Sequence, residues 1–267
     1  MCSSKEENAF LQKYLDNGSG KILPGAALVG AGCGSYELIT LKGLSEIRRA
    51  EVIVYDDLID EHLLEFAQES CELIYAGKRS GRHSKAQEEI NELLVAKALE
   101  GKYIVRLKGG DPYVFGRGGE EAIALKAHGI PVHEVPGVTS SIGLCGMAGI
   151  PVTHRGASRG FHVITGHTAD NLPPEIEEIR WKSYAKLDET FVFLMGLKSI
   201  DMIAEKLMRY GKLSDTPVAV IHGENTDGTY VKLVGTLSDI AAKVKEVDFP
   251  SPAIIVVGEV ASLELTD

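Results

Sequence analysis

The chain has no long apolar run. Its longest, near Ala253–Val257, falls far short of the roughly 20 residues that a membrane span needs, so no membrane partner is expected. Basic charge is in deficit too. With 28 Lys and Arg against 38 Asp and Glu, the net charge of −10 disfavours a nucleic-acid binder, because neutralising phosphates takes basic surface. Cysteine is scarce: Cys2, Cys33, Cys71 and Cys145 are scattered without a CxxC pair. That pattern fits neither a disulfide framework nor a zinc site, and no metal is expected. The opening MCSSKEENAF lacks the apolar core of a secretory signal, so the cytoplasm is the expected compartment. Glycine and proline are spread rather than massed, which leaves no tract composed for disorder.

What remains is a chain of 267 residues, 44% apolar, able to bury one large core or two modest ones. Residues 1–22 read as a polar lead-in, where Phe10, Leu11, Tyr14 and Leu15 are spaced for a short amphipathic helix. From Ala26 strand and helix alternate. Strands are expected at Ala26–Val29, Glu51–Tyr55, Leu73–Tyr75, Tyr103–Leu107, Pro131–Val135, Phe161–Thr165, Thr190–Met195, Val218–His222 and Ala253–Val257. Helices are expected from Leu38 to Ile47, after the capping box Ser84–Gln87, and over Glu120–His128, Ser141–Gly149, Ser199–Tyr210 and Leu237–Val244. The alternation predicts an α/β protein with largely parallel strands, and Tyr230–Val234 reads as a local antiparallel addition. The texture changes at Pro136-Gly137-Val138-Thr139-Ser140, which places the expected domains at 23–135 and 136–262.

The turn Gly30-Ala31-Gly32-Cys33-Gly34-Ser35 follows a strand, and Asp56 ends the next one. The spacing approximates a dinucleotide-binding fingerprint. Ser35 at the last small-residue position and an out-of-phase Gly34 count against it. A nicotinamide-dependent dehydrogenase and a plain tight turn both stay open on these residues alone.

A longer stretch is more specific. Arg106-Leu107-Lys108-Gly109-Gly110-Asp111-Pro112-Tyr113-Val114-Phe115-Gly116-Arg117-Gly118-Gly119-Glu120-Glu121 puts paired glycines at a strand end, where a ligand can approach the backbone. Asp111 offers a carboxylate suited to ribose hydroxyls or an ammonium, and Glu120 and Glu121 complement a helix N-terminus. This stretch closely resembles the signature of the tetrapyrrole methylases, and within them the branch that methylates uroporphyrinogen III. So do Tyr55-Asp56-Asp57-Leu58, Gly77–Ser84, Pro136–Ser140, Gly149–Arg155, Phe193–Leu197, Thr216–Ala219, Ser251–Ala253 and Val257–Val260, in the family's order over about residues 25–261.

The resemblance implies two α/β domains with the cofactor between them, a homodimer, and methyl transfer from S-adenosyl-L-methionine. The expected substrate is the tetrapyrrole uroporphyrinogen III, methylated at two ring carbons (C2 and C7) to precorrin-2, for sirohaem or cobalamin synthesis. A later precorrin is the alternative substrate. Carried over by position, cofactor contacts fall on Cys33, Gly109, Gly110, Asp111, Val114, Thr139, Ser140, Met195, Ala219 and Gly223. Asp56 matches the proton acceptor and Lys78 the proton donor, while Asp57 could instead cap the following segment. Without the resemblance Met195 reads as core, Trp181 as packing, and His222 as either a satisfied core histidine or a cofactor neighbour.

The substrate is a polyanion, so its pocket should be basic even in an acidic chain. Lys78, Arg79, Arg82 and His83 form one basic loop, and His154, Arg155 and Arg159 a second. Guanidinium groups suit carboxylates because they bind them bidentately. The chain departs from the family where Cys33 and Ser35 stand for a proline and an aspartate. Losing the proline should loosen the turn, although Ser35 can still cap.

Overall fold

A computed structural model describes residues 24–77, 87–166, 173–223, 230–263 and 265. The N-terminal lead-in, Ser84 of the expected capping box, and the basic residues Lys78, Arg79, Arg82 and His83 lie outside that set. The chain divides into two units, Met1–Thr139 and Ser140–Asp267.

In unit 1 the strands are β1 (Gly25–Gly30), β2 (Val52–Tyr55), β3 (Glu72–Tyr75), β4 (Tyr103–Lys108) and β5 (Val132–Val135). The helices are α1 (Leu41–Arg49), α2 (Gln87–Leu99) and α3 (Gly118–Ala127). The strand order is β3-β2-β4-β1-β5 and every pairing is parallel. Residues alternate between the two faces of a strand, and here both faces are apolar. Ala27, Val29, Ile53, Val105 and Leu107 pack with Ile47 of α1, while Ala26, Leu28, Val54 and Ile104 pack with Leu94 of α2 and Leu125 of α3. Burial on both faces is why these strands read as continuous apolar runs. Two short 3-10 helices, Tyr36–Leu38 and Glu61–Phe66, lie in the crossovers after β1 and β2.

Chain direction switches between β1 and β4: α1 carries the chain from β1 toward the β4 side, and α3 carries it from β4 across to β5. Diverging connections usually leave a crevice at the carboxyl ends of such strands. Here the backbones close on one another. Gly32 N donates to Gly110 O (3.2 Å) and Gly110 N to Gly32 O (2.6 Å), and Ala31 N donates to Lys108 O (2.8 Å). A Cβ on Gly30 would lie 2.5 Å from Gly137 Cα and 2.6 Å from Gly110 O. The ends of β1, β4 and β5 therefore meet only because Gly30 and Gly137 carry no side chain.

Unit 2 contains α4 (Ser140–Met147), β6 (Phe161–Thr165), α5 (Pro174–Lys186), β7 (Thr190–Leu194), α6 (Ile200–Arg209), β8 (Pro217–Gly223), β9 (Tyr230–Thr236), α7 (Ile240–Glu246) and β10 (Ile254–Val257). Its sheet runs β6-β7-β10-β8-β9, and here the expectation of largely parallel strands fails. Only β6–β7 is parallel; β7–β10, β10–β8 and β8–β9 are antiparallel. The cause is the last strand. It inserts between β7 and β8, which run the same way as the α6 crossover requires but are not neighbours. The antiparallel character expected near Tyr230 is present in β9. Trp181 of α5 packs as expected, stacked on Phe193 at 6.2 Å with Ile203 and Leu207 of α6 in the same core.

Gly137→Ala should lower stability by about 1–3 kcal/mol, the usual range for overpacking, because its methyl would meet Gly110 O and lie 2.7 Å from Gly30 Cα. Urea denaturation measures this. A midpoint equal to that of the parent would show that the three strand ends can part at no cost.

Candidate active site

The glycine triangle fixes what stands beside it. Asp111 follows Gly110, which sits in the left-handed region at φ 69°. Its carboxylate accepts from Tyr113 N (2.8 Å) and from Gly137 N (3.2 Å), joining the loops after β4 and β5. A carboxylate has about four lone-pair sites, so two protein bonds leave acceptor capacity for a ribose hydroxyl or an ammonium. Gly109 does not open space for a ligand, as the sequence suggested. A Cβ there would meet the Leu58 side chain and lie 2.5 Å from Leu58 O. The glycine lets the loop after β2 lie directly on the loop after β4.

That contact brings in Asp56, two residues before Leu58. Asp56 Oδ1 accepts from Leu58 N (3.2 Å) and Oδ2 from Arg106 Nη2 (2.9 Å), with the side chain 24% exposed. Asp56 thus caps this turn, and the Asp57 carboxylate accepts from the Tyr75 hydroxyl. Behind Asp56 the charges continue inward. Arg106 and Lys108 are buried, and both contact the fully buried Glu121, at 3.1 Å (Arg106 Nε) and 3.0 Å (Lys108 Nζ). Burial, and next the neighbouring Arg106, push the Lys108 ammonium below its ordinary range against the opposing pull of Glu121.

Sequence reading missed this ladder, taking Glu121 as a carboxylate that merely complements a helix N-terminus. The signal was available. Arg106 and Lys108 sit two apart on one face of a central, otherwise apolar strand, and buried cations require buried counter-charge. Further along the same motif Phe115 and Arg117 have positive φ (55° and 59°), and Arg117 grips Glu120 through two bonds of 2.8 and 2.6 Å. That bidentate contact raises the guanidinium pKa and lowers that of the carboxyl. Val114, half-buried, lies between Asp111 and Phe115.

The turn after β1 is not a dinucleotide cradle. Ser35 caps only the 3-10 helix at Tyr36–Leu38 (Glu37 N to Ser35 Oγ, 3.2 Å), and α1 starts later under its own cap, Thr40. The N-terminus of α1 therefore does not directly follow the glycines, and the Cβ positions of Gly30 and Gly32 are filled by neighbouring chain. Cys33 is buried and in no disulfide. The buried Asp60 ties the turn down, accepting from Tyr36 N (2.9 Å), His62 N (3.0 Å) and His62 Nδ1 (2.8 Å).

In unit 2 Ser140 opens α4, directly after Thr139 at the end of unit 1. Met195 is not core. It follows β7 at φ 57° with its side chain 56% exposed, a conformation that a bulky residue seldom adopts without a reason. Ala219 lies mid-strand in β8 with no exposed surface, and Gly223 is buried where Leu144 of α4 takes the space of a side chain. His154 and Arg155 are exposed on a turn closed by paired backbone bonds between His154 and Ser158, with Arg159 exposed just after it. His222 is satisfied by Pro252 O at 2.7 Å. Among the described residues no metal-holding cluster occurs, and no helix is long and apolar enough to cross a membrane. A cavity of about 340 Å³ at the opposite edge of the unit 1 sheet is lined by Arg49, Tyr103 and His133. Its charged groups are spent on Glu46, which engages all three.

Comparison with known proteins identifies the family. Residues 27–241 match the family of tetrapyrrole (corrin/porphyrin) methylases. A uroporphyrinogen-III C-methyltransferase of Methanocaldococcus jannaschii is 49% identical over 92% of this chain and 98% of its own. An S-adenosyl-L-methionine-dependent uroporphyrinogen III methyltransferase of Methanosarcina barkeri is 50% identical, covering 88% and 91%. The solved structure of a Thermus thermophilus uroporphyrin-III C-methyltransferase complexed with S-adenyl homocysteine superposes with a TM-score of 0.73 at 38% identity, over 88% of this chain and 98% of that one.

His62 supplies a pH test of the pinned turn. Its hydrogen bond to Asp60, and then the Asp60 charge, raise its pKa above the ordinary value. The stabilisation is therefore fully present below about pH 6.5, the unfolded value, and is lost as pH rises through the folded one. The thermal midpoint of the parent should exceed that of His62→Gln most near pH 5.5 and least near pH 9. An equal difference at both ends would remove the charge from the contact.

Proposed function

The chain belongs to the tetrapyrrole methylases, and on that premise we propose that it methylates uroporphyrinogen III at C2 and C7 to give precorrin-2, using S-adenosyl-L-methionine. The observation that carries the reading is the contact of Leu58 with Gly109. It sets the carboxylate suited to the macrocycle and the turn suited to the methyl donor side by side in one unit. When bound, the donor supplies an electrophilic methyl on a sulfonium. The fit is good: Gly110 and Asp111 present a bend without a side chain and a carboxylate with spare lone pairs.

The donor contacts we propose are Gly109, Gly110, Asp111, Val114, Thr139, Ser140 and Met195. Cys33 backs the first turn, and Ala219 and Gly223 contribute shape and backbone only. Methyl transfer to an electron-rich pyrrole carbon needs in-line placement and exclusion of water more than covalent help. As the methyl arrives the ring system becomes electron-poor. Asp56, anchored on one oxygen by Arg106, stabilises that charge and accepts the proton lost afterwards. Lys78 donates a proton, and Arg79, Arg82, His83, His154 and Arg155 grip the peripheral carboxylates. A homodimer in the cytoplasm completes the reading, supported by the same resemblance.

Incubation under anaerobic conditions with S-adenosyl-L-methionine and uroporphyrinogen III should yield a dimethylated product with a changed absorption spectrum. No methylation would overturn the proposal, and faster turnover of a later precorrin supplied in parallel would replace the substrate. Asp56→Asn should lower kcat by about 10²-fold or more, in the range of general acid–base contributions, with affinity for S-adenosylhomocysteine within about twofold of the parent. Unchanged turnover would take Asp56 out of the mechanism.

A further inference from the structure

The charge ladder behind Asp56 is larger than stability calls for. Buried ion pairs can often be replaced by apolar groups of similar volume with little loss, because desolvation offsets their attraction. Here four charged groups alternate in sign from the interior outward: Lys108, Glu121, Arg106, Asp56. Only Asp56 reaches the surface.

Glu121 is the fixed point. Its Oε1 receives Arg106 Nε, Lys108 Nζ and, at 3.3 Å, Gln87 Nε2, while Oε2 is buried with no hydrogen-bond partner. A lopsided, fully buried carboxylate is poorly satisfied for its own sake. What it does is define the plane of Arg106. With Nε held by Glu121, Nη1 donates to Val54 O (3.2 Å) and Leu107 O (2.9 Å), and Nη2 is left pointing at Asp56 Oδ2. Groups from β2, β4 and α3 thus set one guanidinium, and that guanidinium sets one rotamer of a partly exposed aspartate.

We propose that Glu121 is a positioning residue for methyl transfer: from the first turn of α3 it fixes Arg106, and Arg106 holds the Asp56 carboxylate in its reactive orientation. This rests on the reading of Asp56 given above. The role is orientation, since arginine does not give up its proton.

The test is a double-mutant cycle on the full-length protein, with kcat, KM and S-adenosylhomocysteine affinity measured for Glu121→Gln, Asp56→Asn and the pair together. Glu121→Gln should lower kcat by about 10- to 100-fold, the scale of a small misplacement of a reacting group, with cofactor affinity unchanged. In the Asp56→Asn background the same substitution should cost less than about twofold, because nothing remains to be oriented. An equal loss in both backgrounds, or a parallel fall in cofactor affinity, would overturn the proposal and assign Glu121 to general structure. If Asp56→Asn alone leaves kcat intact, the reading of Asp56 fails first and visibly. Because Glu121→Gln strands the Lys108 ammonium, Glu121→Gln with Lys108→Met is the companion variant. It removes the Lys108–Glu121 pair and leaves Arg106 balanced by Asp56, should keep the thermal midpoint, and should show the same loss of kcat; full activity in it would also overturn the proposal.

Discussion

The site depends on the meeting of three strand ends without side chains. Gly30, Gly110 and Gly137 terminate or follow β1, β4 and β5; a Cβ on Gly30 or Gly137 would collide with the neighbouring backbone, and Gly110 takes a left-handed φ of 69°. Their contact closes the position where connections diverge and gives the unit a rigid floor at its carboxyl edge. From that floor the rest follows by short steps. Asp111 is oriented by amides from its own loop and from Gly137, and Gly109 admits Leu58, which carries Asp56 into the neighbourhood. A side chain at any of these glycines would act on ligand binding, on catalysis and on folding together.

Electrostatics then distinguishes a floor from a site. The protein carries a net charge of −10 and is proposed to bind a polyanion, so the useful basic charge must be local. It occurs in two forms. Exposed His154, Arg155 and Arg159 are free to meet carboxylates. Arg106 and Lys108 are sunk in the sheet and matched to Glu121, and act on the surface only through Asp56. The first kind confers attraction that salt can screen; the second confers geometry, which salt does not reach.

Much of unit 1 was legible because parallel strands buried on both faces appear as short continuous apolar runs between helices. Val52–Tyr55 and Tyr103–Lys108 fall within a residue of their expected bounds. Unit 2 was legible in most of its elements, though not in α5 (Pro174–Lys186), and not in its pairing. Where Ile254–Val257 inserts is decided by contacts with strands far away in sequence, and no local pattern encodes it. Gly110, Asp111 and Asp56 are candidates read from motifs, whereas Gly109, read as an approach for a ligand, admits Leu58 instead. Glu121 was misread because a glutamate in the first turn of a helix has an ordinary explanation at hand. Met195 reads as core from its local pattern alone because an apolar residue ending an apolar strand looks like core, and its left-handed backbone is invisible in sequence.

The departures at Cys33 and Ser35 show how the floor tolerates change. A proline would restrict the turn through its own ring, and an aspartate would cap through a charge. In this chain the turn is held from outside instead. Gly32 and Gly110 exchange two backbone bonds, Ser35 caps with its hydroxyl, and Asp60, buried in the crossover after β2, takes the Tyr36 amide. Asp60 also holds His62, so the segment that follows Asp56 is anchored to the turn whose rigidity the proline would otherwise supply. What the geometry at Gly30–Gly32 requires is fixed backbone position, and backbone bonds to Lys108 and Gly110 supply it, with Asp60 holding the segment just beyond at Tyr36.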